Sequence, residues 1–224
     1  MQNEKQEKEN TTDKINDFIQ RNRKMIFAIF SIIIILFIGA VVYLAVKDNV
    51  DKKTIVKMEE FVEKYDALIL SINAEEKENP EADLLITDIE NFAGKRKGIA
   101  YSKAWSLIAN IYAKKEDWSK AEDAFIKSSQ AGIKTYLGPI SLFNAAAAAE
   151  EQGKLEKAIS LLQECLSHKF EFPSAPRAQF SVGRLYEQLG NKEDAIEAYR
   201  TVMINWPEMP VWQQLARSRI IVLE

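Results

Sequence analysis

Apolar residues along this chain follow two regimes. Residues 25–46 read MIFAIFSIIIILFIGAVVYLAV, 22 positions without a charge, fifteen of them Ile, Leu, Phe or Val. A helix of that length reaches roughly 33 Å, enough for a hydrocarbon core of about 30 Å. Beyond Val46 apolar residues recur every three or four positions. Pro80, Pro139, Pro173, Pro176, Pro207 and Pro210 fall between these periodic segments, and no segment alternates convincingly with a period of two. The pattern predicts an all-α chain in which a single N-terminal transmembrane helix precedes an array of soluble helices.

The apolar run is too long for the core of a cleaved signal peptide and lacks its small-x-small ending. Tyr43 or Ile38 would occupy a position that must be small. It reads as an uncleaved signal anchor over residues 25–46. Residues 8–24 and 47–65 carry five Lys or Arg residues each, Lys8, Lys14, Arg21, Arg23 and Lys24 against Lys47, Lys52, Lys53, Lys57 and Lys64. Arg21, Arg23 and Lys24 abut the run, which favours a cytoplasmic N-terminus and an extracytoplasmic C-terminal domain. Residues 1–24 form the expected cytoplasmic tail. Its first fourteen residues hold nothing apolar after Met1, so they are expected to be disordered. Ile15, Phe18 and Ile19 beside the basic trio suggest a last turn lying at the membrane interface.

Residues 47–224 form the second regime, and they repeat internally. WSLIANIYAKKEDWSKAEDAF from Trp105, LFNAAAAAEEQGKLEKAISLL from Leu142 and QFSVGRLYEQLGNKEDAIEAY from Gln179 superpose at a 37-residue step. In each copy a small residue (Ala109, Ala146, Gly183) lies twelve positions before an Ala (Ala121, Ala158, Ala195). A large residue (Phe125, Leu162, Tyr199) follows that Ala by four. Two antiparallel helices approach closely only where both present small side chains, and the large residue one turn on fills the space beside them.

This spacing resembles the tetratricopeptide repeat (TPR). The third copy matches best through Gly183, Tyr186, Gly190, Ala195, Tyr199 and Pro207, while Glu116 replaces the usual inter-helix Gly in the first and Ala149 the usual Tyr in the second. The resemblance implies a TPR-like α-solenoid of antiparallel helix pairs, with repeats at 102–131, 139–170 and 176–207. Residues 54–93 are expected to add a degenerate pair. Its first helix would present Ile55, Met58, Val62, Tyr65, Ile69 and Ile72, and its second Leu85, Ile86, Ile89 and Phe92. Residues 209–223, with Trp212, Leu215, Ala216, Arg219, Ile220 and Leu223, are expected to close the array as a capping helix.

Composition narrows the chemistry. The 30 basic and 33 acidic residues give a net charge of -3, without the basic excess that nucleic-acid binding requires. One Cys and one His exclude an intramolecular disulfide and cannot supply a zinc site, and no cofactor motif is present. Cys165 and His168 lie three apart, but no Gly-rich elbow precedes them and Cys165 falls where the helix-pair core is expected, so the chain does not read as an enzyme. Gly94-Lys95-Arg96-Lys97-Gly98 lacks the Lys-Ser/Thr ending of a phosphate loop and reads as a solvated turn.

Binding is the better reading, because stacked helix pairs leave a groove lined by the first helix of each pair. By analogy with TPR domains the groove positions are Lys103, Ser106 and Asn110 in the first copy, Phe143, Asn144, Ala147 and Glu150 in the second, and Arg177, Phe180, Arg184 and Glu187 in the third. Arg177, Phe180 and Arg184 form a basic and aromatic stripe suited to an acidic or amphipathic peptide. The set that holds a C-terminal carboxylate in chaperone-binding TPR domains is only half present, as Ser106, Asn110, Asn144, Arg177 and Ser181. The whole layout resembles the YfgM-like family of bacterial inner-membrane TPR proteins. That resemblance implies a periplasmic domain serving as an ancillary subunit of the SecYEG translocon and working with periplasmic chaperones. A scaffold for another envelope or cell-division complex and a cytoplasm-facing adaptor are the alternatives, and the pattern does not decide whether the chain forms a homo-oligomer.

Overall fold

A computed structural model describes residues 2–70, 79–170 and 172–224. The described residues are all-helical and fall into two compact units, residues 1–54 and 55–224. The first unit consists of the N-terminal part of helix α1 (Gln2–Ile69). Within it Gln20–Leu44 is long and apolar enough to cross a membrane, and its described side chains are not buried against protein.

Helix α1 begins at Gln2, within the expected tail. One expectation for the N-terminal third is corrected. The apolar face predicted from Ile55 is rotated. Met58, Phe61 and Leu68 are buried and Tyr65 half-buried, while Ile55 and Val62 point outward. Phe61 is the anchor of this face, set edge-on to Phe92 at 5.3 Å between centroids. Ile72 lies outside the described residues.

In the second unit the C-terminal part of α1 is followed by α2 (Pro80–Ala93), α3 (Ile99–Lys114), α4 (Trp118–Ala131), α5 (Leu137–Glu151), α6 (Leu155–Ser167), α7 (Ala175–Gln188), α8 (Lys192–Asn205) and α9 (Pro210–Leu223). From α2 onward each helix packs on the next, and α3 also meets α5 and α7 meets α9, the stacking of a solenoid. Local signals explain the starts. Asn79 accepts from Ala82 N at 2.9 Å, Asp117 accepts from Lys120 N at 3.3 Å, and prolines open α2, α7 and α9.

The small residues that repeat at the 37-residue step sit at the helix crossings. Ala109, Ala121, Ala158 and Ala195 are fully buried and Ala146 nearly so. Gly183 shows why the third copy needs no side chain there. A Cβ would lie 2.6 Å from the Tyr199 ring, which is itself buried. At the C-terminus Ala216 closes against α8, with Trp212, Ile220 and Leu223 half-buried around it, whereas Leu215 is exposed.

Candidate protein-binding face

The first helices of the pairs, α3, α5 and α7, carry all eleven sequence-derived groove residues, and the structure divides them into two groups. Six are engaged within the protein. Ser106 Oγ lies 2.8 Å from the buried Ser128 Oγ, which donates to the Ser102 carbonyl and also meets Ser141 Oγ at 2.7 Å. This hydroxyl cluster ties α3, α4 and α5 together. Asn110 hydrogen-bonds the Tyr65 hydroxyl of α1. Arg184 of α7 donates two hydrogen bonds to Glu150 of α5, at 2.6 and 2.7 Å, a fork-to-carboxylate pair.

The fifth and sixth lie one repeat further on. Glu187 accepts from the Tyr199 hydroxyl at 2.5 Å and from Arg219 Nε of α9 at 3.0 Å, with a second short contact from Arg219 Nη2. The Arg219 hydrogen bond, reinforced by that of Tyr199, holds the Glu187 carboxyl below its usual range. Burial and the adjoining Glu187 carboxylate push the Tyr199 phenol well up, so it stays a donor. Phe180 packs between Tyr199 and Trp212, at 4.9 and 5.6 Å between centroids, and so serves the C-terminal core.

The other group faces solvent without such ties. Lys103, Ala147 and Arg177 are exposed, and Phe143 and Asn144 are half-buried. Arg177 places its guanidinium 5.4 Å from the Phe143 ring centroid, and Phe143 in turn packs on Phe172 at 6.1 Å. The predicted stripe of Arg177, Phe180 and Arg184 is therefore not brought together as one free surface. Phe143, Asn144 and Ala147 instead share one side of α5, where Arg177 of α7 lies over the Phe143 ring.

The chemistry weighed for Cys165 does not assemble. Its thiol is buried, donates to the Pro139 carbonyl at 3.2 Å, and is pushed up to about 12 by burial. It is protonated at neutral pH and closed to solvent. His168 sits in the α6–α7 link, where Nδ1 accepts from Phe170 N at 3.3 Å and the ring packs against Gly138.

Sequence reasoning misses a charged group in the core. Glu122 of α4 is almost fully buried, yet it accepts from Gln152 at 2.8 Å and pairs with Lys154 and Lys157 at the start of α6. Burial alone would raise its carboxyl, but the Lys157 and Gln152 hydrogen bonds outweigh it and the net shift is downward. The Arg184–Glu150 and Arg219–Glu187 bridges are legible in principle. Glu150 and Glu187 occupy one repeat position, and an Arg follows each by about one repeat.

Comparison with known proteins agrees with this geometry. The tetratricopeptide repeat family model matches residues 106–170 and 143–210. A TPR repeat-containing protein of Treponema pallidum (strain Nichols) is 34% identical over 143 residues, which cover 63% of this chain and 59% of that protein. Among solved structures, a Podosopora anserina chain of nearly identical TPR-like repeats superposes with a TM-score of 0.52 at 13% identity, over 74% of this chain and 86% of that one. A point variant of the same Podosopora anserina protein gives 0.53 at 12% identity, over 74% and 85%. At such identities the structures speak for the fold. Residues 106–210 match the tetratricopeptide repeat model, and the chain folds as a TPR-like solenoid.

Proposed function

We propose that this chain is a membrane-anchored protein-binding module whose ligand seat is the α5–α7 patch of Phe143, Asn144, Ala147 and Arg177. The observation that carries the reading is the Arg177 guanidinium resting on the Phe143 ring beside exposed Ala147, a cation and an aromatic side chain left for a partner where neighbouring groove positions are tied up internally. Lys103, Ser106, Asn110, Glu150, Phe180, Arg184 and Glu187 shape the same face without offering free groups, apart from Lys103. Such a seat suits an extended or helical peptide with an acidic residue beside an apolar one.

The apolar stretch Gln20–Leu44, flanked by Arg21, Arg23 and Lys24, supports anchoring in a bacterial inner membrane with the N-terminus in the cytoplasm and the repeats in the periplasm. Tethering raises the local concentration of the seat at the membrane, so modest affinity suffices. In the YfgM-like reading its ligands are SecYEG translocon subunits, periplasmic chaperones or emerging exported proteins.

Crosslinking in intact cells from a photoreactive residue at position 147, read by mass spectrometry, tests this. Capture of translocon subunits or envelope chaperones, lost on Arg177→Glu, is the expected result. Capture confined to other assembly proteins would replace the translocon role by a scaffold. A compartment-specific reporter fused after Glu224 and active only in the cytoplasm would overturn the topology.

A further inference from the structure

A basic cleft lies at the junction of α2, α3 and α4, apart from the α5–α7 patch. The chain leaves α2 through Gly94, whose φ of +49° suits glycine, and enters α3 through Gly98, at φ +126°. Gly94 N donates to the Glu90 carbonyl at 2.8 Å, and Gly98 N donates to the Ala131 carbonyl at the end of α4 at 2.7 Å. The turn is thus pinned at both ends, and the three basic residues between the glycines are displayed on a fixed loop.

With Lys127 of α4 they rim a cavity of about 500 Å³, also lined by Glu90, Trp105, Gln130 and Ala131. Four cations surround it and one carboxylate, Glu90, lines it. Arg96 is partly engaged, since it donates to the Phe92 carbonyl and lies over the Tyr101 ring at 5.7 Å. Lys127 sits 4.4 Å above the Trp105 ring. Among the described residues, none of Lys95, Lys97 and Lys127 forms an ion pair with a carboxylate, although Asp123 lies one turn before Lys127 on α4.

Concentrated like charge destabilises a fold unless an opposite charge meets it, so an arrangement of this kind favours an anionic partner. The shape indicates which. A polybasic stretch meets an anionic lipid surface with its cations on an open face, whereas these cations rim a concavity whose side is the nearly buried Trp105. Bidentate phosphate recognition relies on free arginine forks, and the single arginine here is engaged. Three flexible ammonium groups around a cleft of about 500 Å³, room for several side chains, match several carboxylates spaced along a chain.

We infer that the α2–α4 cleft is a second protein-binding site, which takes an acidic peptide segment, a run of Asp and Glu, through Lys95, Lys97 and Lys127. It does not depend on the α5–α7 seat. The test uses the full chain and a fluorescein-labelled twelve-residue peptide of alternating Glu and Asp, followed by anisotropy, with the Gln/Asn version as control. Saturable binding to the acidic peptide alone is expected. It should weaken by about tenfold in the triple variant Lys95→Gln, Lys97→Gln, Lys127→Gln, fall steeply with added salt, and be unchanged in Lys192→Gln, an exposed lysine of α8. These lysines lie on the surface, and an unchanged circular dichroism melt verifies that the variant is folded. Equal affinity of wild type and triple variant would overturn the site. Preference for vesicles containing phosphatidylglycerol over the peptide, lost in the same variant, would overturn the peptide assignment in favour of a lipid surface.

Discussion

Substitution of Gly183 by Ala tests the packing logic of the repeats at its tightest point. The added Cβ would approach three atoms of the Tyr199 ring at 2.6, 2.8 and 2.9 Å, all closer than such carbons come in folded proteins. The ring has little room to retreat. Its hydroxyl is fixed by Glu187 at 2.5 Å and its face by Phe180 at 4.9 Å. Overpacking of this kind costs about 1–3 kcal/mol. Against it stands the gain from Ala over Gly inside a helix, about 1 kcal/mol. The net expectation is a loss of about 1 kcal/mol, or roughly 2–4 °C in a unit of this size.

The partner substitution Tyr199→Phe makes the reasoning specific. It releases the hydroxyl from Glu187 while leaving the ring, so the ring can tilt away from a methyl at position 183; the first copy has this pairing, Ala109 with Phe125, at the same two positions. In that background Gly183→Ala should cost nothing or stabilise slightly, giving a coupling of about 1 kcal/mol between the two sites. Thermal unfolding of the full chain by circular dichroism supplies the four midpoints, and amide exchange localises the loss to α7–α9. An unchanged or higher midpoint for Gly183→Ala in the wild-type background would refute the argument. So would an equal penalty in both backgrounds.

Other expectations follow from the same contacts. Glu122 and Glu187 both titrate below the usual 4.5, so the stability they contribute is complete above that value and lost as pH falls through their lowered values. Glu122→Gln and Glu187→Gln should each flatten the acid limb of a stability–pH curve measured between pH 3 and 6, and an acid limb as steep as wild type would count against the assignment. Arg219→Ala removes the α9 tie to Glu187 and should loosen that helix by about 1 kcal/mol, a roughly fivefold rise in amide exchange confined to α9. The thiol of Cys165, held near 12, should resist iodoacetamide in the folded chain and react promptly in denaturant, and rapid labelling of the native protein would show that the Pro139 contact opens.

The fold class is readable because its causes are local. A 22-residue uncharged run marks a helix long and apolar enough to cross a bilayer, and a recurring small-small-large triplet marks a close helix crossing. The N-terminal face of the repeat unit reads one register off because Ile55 and Val62 share helical spacing with Met58 and Tyr65, and periodicity alone does not tell which of two adjacent apolar stripes a neighbour covers. Phe61 and Leu68 win that competition, Phe61 through the ring of Phe92, a contact 31 residues away in sequence. Glu122 escapes notice for a related reason, since its partners Gln152 and Lys157 belong to the next pair.

The groove residues carry the most general consequence. In a solenoid each first helix has two claims on its surface, one from the ligand and one from the neighbouring first helix, and a polar residue satisfies the nearer claim. Between α5 and α7 and again between α7 and α9 that claim is an Arg–Glu bridge, so Glu150, Arg184, Glu187 and Arg219 act as connectors that fix the spacing of successive repeats. Phe143 and Arg177 escape because their own contact is with each other at the surface. Charge reversal at Arg184 should therefore lower the unfolding midpoint through the α5–α7 spacing, whereas reversal at the exposed Arg177 should leave it unchanged. Loss of ligand in the Arg177 variant with an unchanged midpoint is what the proposed seat requires, on one helix and two turns from Arg184.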